Sequence, residues 1–123
     1  ALPDGPGSFY PATVLADVPP ATRIAREETF GPVVALARFD GSEAEAIRLA
    51  NDTPYGLGAN VYTGDVERGV RVAAAIRSGQ VGVNRYLTDG GPWVGQRQSG
   101  FGYLGGPDGH RQFTVPKTIS VAK

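Results

Sequence analysis

The sequence contains no cysteine and no methionine. Without Cys, disulfides, thiolate catalysis and Cys-ligated metals are excluded within its 123 residues. A charge imbalance is missing as well: 12 Lys+Arg face 12 Asp+Glu, a formal net charge of zero. A nucleic-acid or acidic-membrane partner calls for a basic excess, so neither is expected. Long hydrophobic runs are absent too; none approaches the roughly 18 residues needed to span a bilayer. The opening A-L-P-D-G-P-G-S-F-Y lacks the basic start and apolar stretch of a signal peptide. A cytoplasmic setting is therefore expected. His110 is the one histidine. With no Cys and no evident carboxylate partner it reads as a loop or hydrogen-bonding residue, not a metal ligand or triad member.

The remaining composition is that of a globular chain, 41% hydrophobic and 20% charged. Its length suits one modest core. The missing Met fits a trimmed start residue or a piece of a longer chain. Gly is 18 and Pro is 10, which predicts much turn and loop.

Hydrophobic patterning predicts an α/β fold. Residues 1–11 read as an opening loop, and A-T-V-L-A (Ala12 to Ala16) as a strand. Val18 to Arg26, with Pro19-Pro20, reads as an extended crossing loop. V-V-A-L-A-R-F (Val33 to Phe39) suits a strand covered on both faces. Ser42 to Ala50 reads as a helix opened by a Ser42/Glu45 capping box. Ala59 to Thr63 is a strand. Val66 to Ser78 is a helix capped by Asp65, with Val66, Val70, Ala73 and Ala74 on one face and Gly79 as a left-handed stop. Gln80 to Asn84 is the third strand of a partial parallel-sheet βαβαβ unit. Long Gly/Pro-rich loops follow from Arg85 to Gly109, and Thr118 to Ala122 reads as a C-terminal strand.

The adjacent carboxylates Glu27 and Glu28, before Phe30 and Gly31-Pro32, have two readings. They are either a solvated edge or a binding unit. In the second, one carboxylate accepts both hydroxyls of a ribose diol and Phe30 offers its ring to a planar group on that sugar. Gly95 to Gly102, G-Q-R-Q-S-G-F-G, resembles a phosphate cradle but lacks the strand before and helix after, so a packed turn is expected. Trp93, just before it, and Phe101, on it, either line an apolar channel or seal a core edge.

Several stretches resemble the NAD(P)-dependent aldehyde dehydrogenases. R-E-E-T-F-G-P-V (Arg26 to Val33) resembles their E-E-x-F-G-P-V, and P-A-T-V-L-A-D-V (Pro11 to Val18) their P-T-V-L-x-D-V. A-N-D-T-P-Y-G-L-G-A (Ala50 to Ala59) resembles A-N-x-T-x-Y-G-L-x-A, and S-G-Q-V-G-V-N (Ser78 to Asn84) resembles A-G-x-V-x-V-N. Ser99 to Gly102, Phe113-Thr114 and Lys117 fit the tail of the pattern. Together they run in the family's order along nearly the whole chain.

The resemblance implies that Glu28 holds the nicotinamide ribose and that Phe30 lies beside the nicotinamide. NAD or NADP is then the cofactor of the parent enzyme, and a small aldehyde its substrate. Such enzymes oxidise the aldehyde through a Cys thiohemiacetal, pass hydride to NAD(P) and hydrolyse the acyl-enzyme with a Glu base. That Cys, that Glu and the dinucleotide-gripping fold lie upstream of the matching region. Residues 1–117 then correspond to the C-terminal part of the catalytic domain and 118–123 to an oligomerisation-type strand. The family's P-F-G-G-x-K-x-S-G appears as P-W-V-G-Q-R-Q-S-G, which implies that Trp93 borders and narrows the aldehyde tunnel. Val94 stands where the family has a Gly free to take positive φ. Gly102 to Leu104 replaces G-R-E, so any ion pair of that Arg and Glu is lost. The expected partners are the rest of a dehydrogenase chain or further copies in a homo-oligomer. Alternatives are a non-catalytic assembly or regulatory module and an unrelated small α/β binding domain.

Overall fold

The computed structural model of the chain describes residues 5–86 and 91–122. Residues 1–4 of the opening loop, 87–90 of the loop after Asn84, and Lys123 lie outside the described residues. The chain divides into two compact units, Ala1–Leu49 and Ala50–Lys123.

In the first unit, β1 (Thr13–Leu15) and β2 (Val33–Ala35) pair in parallel, with Thr13 opposite Val33 and Leu15 opposite Ala35. Parallel neighbours need a long crossover, and residues 16–32 supply it. That segment is not wholly extended, because it holds a short helix, α1 (Arg23–Arg26). β2 stops well before Phe39. Asp17 turns to φ 54, which bends the partner strand away after Leu15. The pairing then continues only as single bonds, Leu36 N–H to Leu15 O at 2.8 Å and Val18 N–H to Leu36 O at 2.9 Å. Arg38 ion-pairs with Asp17 across the bend. The cover expected on both faces is not supplied among the described residues, since Val34, Leu36 and Phe39 are all exposed.

α2 (Glu43–Asn51) begins as the Ser42 signal predicts: Ser42 Oγ accepts from Glu45 N–H at 3.2 Å. The reciprocal half of the box is different. Glu45 turns to Arg48, with 2.7 and 2.8 Å bonds. Asp40 accepts the Ser42 N–H instead, at 2.8 Å. The bonds from Ser42 hold the Asp40 carboxyl below the ordinary Asp range.

In the second unit, β3 (Gly58–Val61) and β4 (Gln80–Val83) pair in parallel across α3 (Val66–Ala75). The α/β class is as expected, but the strands of the βαβαβ pattern form separate two-stranded ladders. Asp65 caps α3 by accepting the Arg68 N–H at 3.0 Å. The face of α3 that packs is not the Val66/Val70 stripe. Gly69 and Val72 are the buried residues. A Cβ on Gly69 would stand 2.7 Å from Val83 Cγ1 and 2.9 Å from Thr63 Cγ2. Glycine lets the helix lie directly on the strands, while Val66 and Val70 stay 59% and 56% exposed.

α3 also ends earlier than expected. Ile76 is its C-cap, in extended backbone, and the Asn51 amide closes the end: Nδ2 donates to Ala75 O at 2.9 Å and Oδ1 accepts from Arg77 N–H at 2.7 Å. Gly79 is not among the positive-φ residues. Its need is space, because a Cβ there would fall 1.8 Å from Val94 O.

The Gly-rich stretch is more ordered than its composition suggests. β5 (Trp93–Val94) and β6 (Tyr103–Leu104) pair antiparallel, and α4 (Gly106–Arg111) follows with Pro107 in its first turn. Val94 takes an ordinary strand conformation without positive φ. Thr118 to Ala122 forms no strand, and Ile119 and Val121 stay exposed. A strand is a ladder, and among the described residues none pairs with this segment. Among the described residues the buried apolar core is Val18 and Val72 alone. No helix of the described residues is long and apolar enough to cross a membrane.

Candidate functional site

The sequence places two neighbouring carboxylates after α1, and the structure gives them different work. Glu27 is the C-cap of α1, and its N–H bonds Arg23 O at 2.7 Å. Its carboxylate accepts both Arg23 Nε (2.8 Å) and Nη2 (2.7 Å). The Arg23 hydrogen bond holds Glu27 below the ordinary Glu range. The pair is exposed on the surface, so its part in stability is small and salt-sensitive. Glu28 is exposed, and among the described residues no hydrogen bond or ion pair occupies it.

Phe30 follows two residues later and is 99% exposed. The backbone there is folded tightly: Gly31 N–H bonds Thr29 O and Val33 N–H bonds Gly31 O, each at 2.8 Å. Two such short turns in succession fix the course of the chain from Thr29 into β2. A carboxylate acceptor and a bare ring are thus carried on a short segment between α1 and β2.

Trp93 belongs to the other unit, on β5, and is 41% exposed. Its strand is pinned by pairing with Leu104 and by the close approach of Val94 to Gly79. Phe101, on the same Gly-rich stretch, is exposed and seals no core edge. His110 sits on α4, not in a loop, and is exposed. Among the described residues no three His, Cys, Asp or Glu side chains gather as metal ligands would.

Sequence reasoning missed three polar side chains that organise the second unit. Arg97 reaches the carbonyls of the Asn51–Tyr55 turn. Asn84 bonds both backbone groups of Thr63. Gln112 does the same for Tyr103, accepting its N–H at 3.0 Å and donating to its carbonyl. No spacing rule announces them, because each acts on backbone remote in sequence.

Comparison with known proteins shows the family. The family model for the aldehyde dehydrogenase family matches residues 2–119. A succinate-semialdehyde dehydrogenase of Paenarthrobacter nicotinovorans is 44% identical over 97% of this chain, and a benzaldehyde dehydrogenase of Bacillus subtilis is 45% identical over 94%. The chain spans 27% and 24% of the lengths of those two curated relatives. Among solved structures, betaine aldehyde dehydrogenase of Staphylococcus aureus, in complex with NAD+, superposes with a TM-score of 0.82 at 38% identity. That match covers 87% of this chain and 21% of that one. An aldehyde dehydrogenase of Mycobacterium tuberculosis complexed with NAD+ superposes with a TM-score of 0.79 at 42% identity, covering 88% of this chain and 24% of the other. The chain belongs to the aldehyde dehydrogenase family.

Proposed function

We propose that this chain forms the C-terminal part of an NAD(P)-dependent aldehyde dehydrogenase, one that oxidises an aldehyde to a carboxylic acid. The nucleophilic Cys, the base Glu and the dinucleotide-gripping fold come from the remainder of a longer chain. NAD(P), when bound, supplies the hydride acceptor. The Glu28 carboxylate accepts the hydroxyls of the nicotinamide ribose, Phe30 flanks the nicotinamide ring, and Trp93 narrows the aldehyde tunnel.

One observation carries this reading: Arg23 engages Glu27 and leaves Glu28 open beside the bare ring of Phe30. Further support comes from the apolar surface the chain leaves uncovered, including Val66 and Val70 on α3 and Val34 and Leu36 at β2. Such surface is stable when another part of the same protein covers it. Homo-oligomerisation through Thr118 to Ala122, as an edge strand completed by another copy, belongs to the same proposal.

The denatured intact mass of the native product in its source cells tests the reading. A species several times heavier than 12.9 kDa, carrying a Cys, is expected. A species at 12.9 kDa would overturn it in favour of a non-catalytic assembly module.

A further inference from the structure

We infer that Arg97 is a positioning residue for substrate selection: it sets the place of Trp93 by locking the Trp93–Ser99 loop to the Asn51–Gly56 turn. The inference rests on the reading that Trp93 borders the aldehyde.

The observations lie within one unit. Arg97 is half-buried, and its backbone takes φ 55, a left-handed conformation uncommon for a residue with a Cβ. That conformation brings it opposite Tyr55 as an isolated antiparallel bridge. Its Nη1 donates to Thr53 O at 2.6 Å and to Asn51 O at 3.1 Å, with Tyr55 O at 3.4 Å. Gln98 N–H bonds Pro54 O at 3.0 Å, and Ser99 Oγ accepts from Gly56 N–H at 3.1 Å. The turn is anchored in turn by Gly79 N–H to Gly56 O at 2.9 Å. Gly79 is also the residue against which Val94 is pressed.

A closed frame results. The Trp93–Val94 strand is held on one side by β6 and on another by Gly79. Its continuation is held by the Arg97 guanidinium, which gathers carbonyls that would otherwise point apart. These carbonyls are half-buried, and leaving them unpaired carries a cost. Removing the guanidinium therefore releases the turn and the loop together. All three contacts come from the one nitrogen Nη1, so a lysine keeps a charged donor but on a stem of different length and shape and restores the contacts only in part. Among the described residues no acidic side chain pairs with Arg97, and its hydrogen bonds go to backbone carbonyls.

The test uses the longer enzyme that contains this chain. Four variants are compared, Trp93→Ala, Arg97→Ala, Arg97→Lys and the Trp93→Ala/Arg97→Ala double. The readout is the ratio of kcat/KM for phenylacetaldehyde to that for propanal. Trp93→Ala is expected to raise the ratio roughly tenfold, and Arg97→Ala roughly threefold or more in the same direction. The double variant is expected to match Trp93→Ala alone, because a residue that acts through another adds nothing once that other is gone. Arg97→Lys is expected to lie between wild type and Arg97→Ala, and it carries the test if Arg97→Ala does not fold. An unchanged ratio in both Arg97 variants, or an additive double, overturns the inference and leaves the Trp93 reading standing. An unchanged ratio in Trp93→Ala overturns that reading and the inference with it.

Discussion

Asn84 stands beside Thr63 as a substitute for one more rung of the β3–β4 ladder. Its Oδ1 accepts the Thr63 N–H and its Nδ2 donates to Thr63 O, both at 2.8 Å. The backbone of Asn84 sits at φ 53, a region that asparagine tolerates better than most residues. Its own N–H bonds Val61 O at 2.8 Å, the last backbone rung. The side chain thus continues the pairing where the main chain turns away. Asn84→Ala removes two hydrogen bonds and places a less tolerant residue at positive φ. A loss of about 2–3 kcal/mol of unfolding free energy is expected, read as a lowered urea midpoint with an unchanged slope.

The physical signals for the ladder were local and therefore legible. Asp65 before Val66 is a cap within a single turn, and the alternation from α3 into Gln80–Val83 is a change of period on one stretch of chain. The Ser42 cap was legible for the same reason, although Asp40 took the role expected of Glu45. Gly79 was visible as punctuation but not in its purpose, since the Val94 carbonyl it admits lies far along the sequence. The outward face of α3 misled because a helix apolar on two sides offers two stripes. The sequence does not say which of them meets β4. Glu28, Phe30 and Trp93 stood out as residues with two open readings, to which the family motifs added roles, whereas Arg97 is legible only once the turn it binds is seen.

Gly79→Ala tests the close approach directly. The added Cβ would meet Val94 O at 1.8 Å, and backbone cannot swing aside as a long side chain would. Destabilisation of about 3 kcal/mol is expected, by overpacking. Gly64→Ala is the control, because a Cβ there meets nothing within 4 Å. Its unfolding free energy should stay within about 0.5 kcal/mol of the parent. Equal effects at both positions would remove the Val94 contact as the cause.

Val66 and Val70 present an apolar face of α3 that nothing within the described residues buries. Changing both to Ser should raise the soluble yield of the isolated chain, because exposed apolar area drives association. In the longer enzyme the same pair of changes should be destabilising, by about 2–4 kcal/mol in total, if that face is covered there. A neutral result in the longer enzyme would show that this face is solvated in the whole protein as well.

The division of labour between Glu27 and Glu28 makes opposite predictions for two adjacent residues. Glu27 has its ionisation favoured first by the Arg23 hydrogen bond, against a smaller opposing effect of partial desolvation. A depressed folded-state value means the contribution is present above the unfolded value of the group. It is lost as the pH falls through the lower, folded value. The α1 turn should therefore loosen only in acid, below the ordinary Glu range, and Glu27→Gln should remove that acid transition. The measurement is hydrogen exchange of the Glu27 amide, which is the N–H bonded to Arg23 O. Glu27→Gln should leave NAD(P) affinity of the longer enzyme within about twofold, since an exposed ion pair contributes little. Glu28→Gln should do the reverse. The acid transition should be unchanged, while cofactor binding weakens by about 1–3 kcal/mol, roughly five- to 150-fold in Kd, the scale of one charged hydrogen bond. Isothermal titration with NAD+ and NADP+ on both variants decides between them. A loss of affinity in Glu27→Gln and none in Glu28→Gln would exchange the two roles, and a loss in neither would take the carboxylate pair out of the cofactor site.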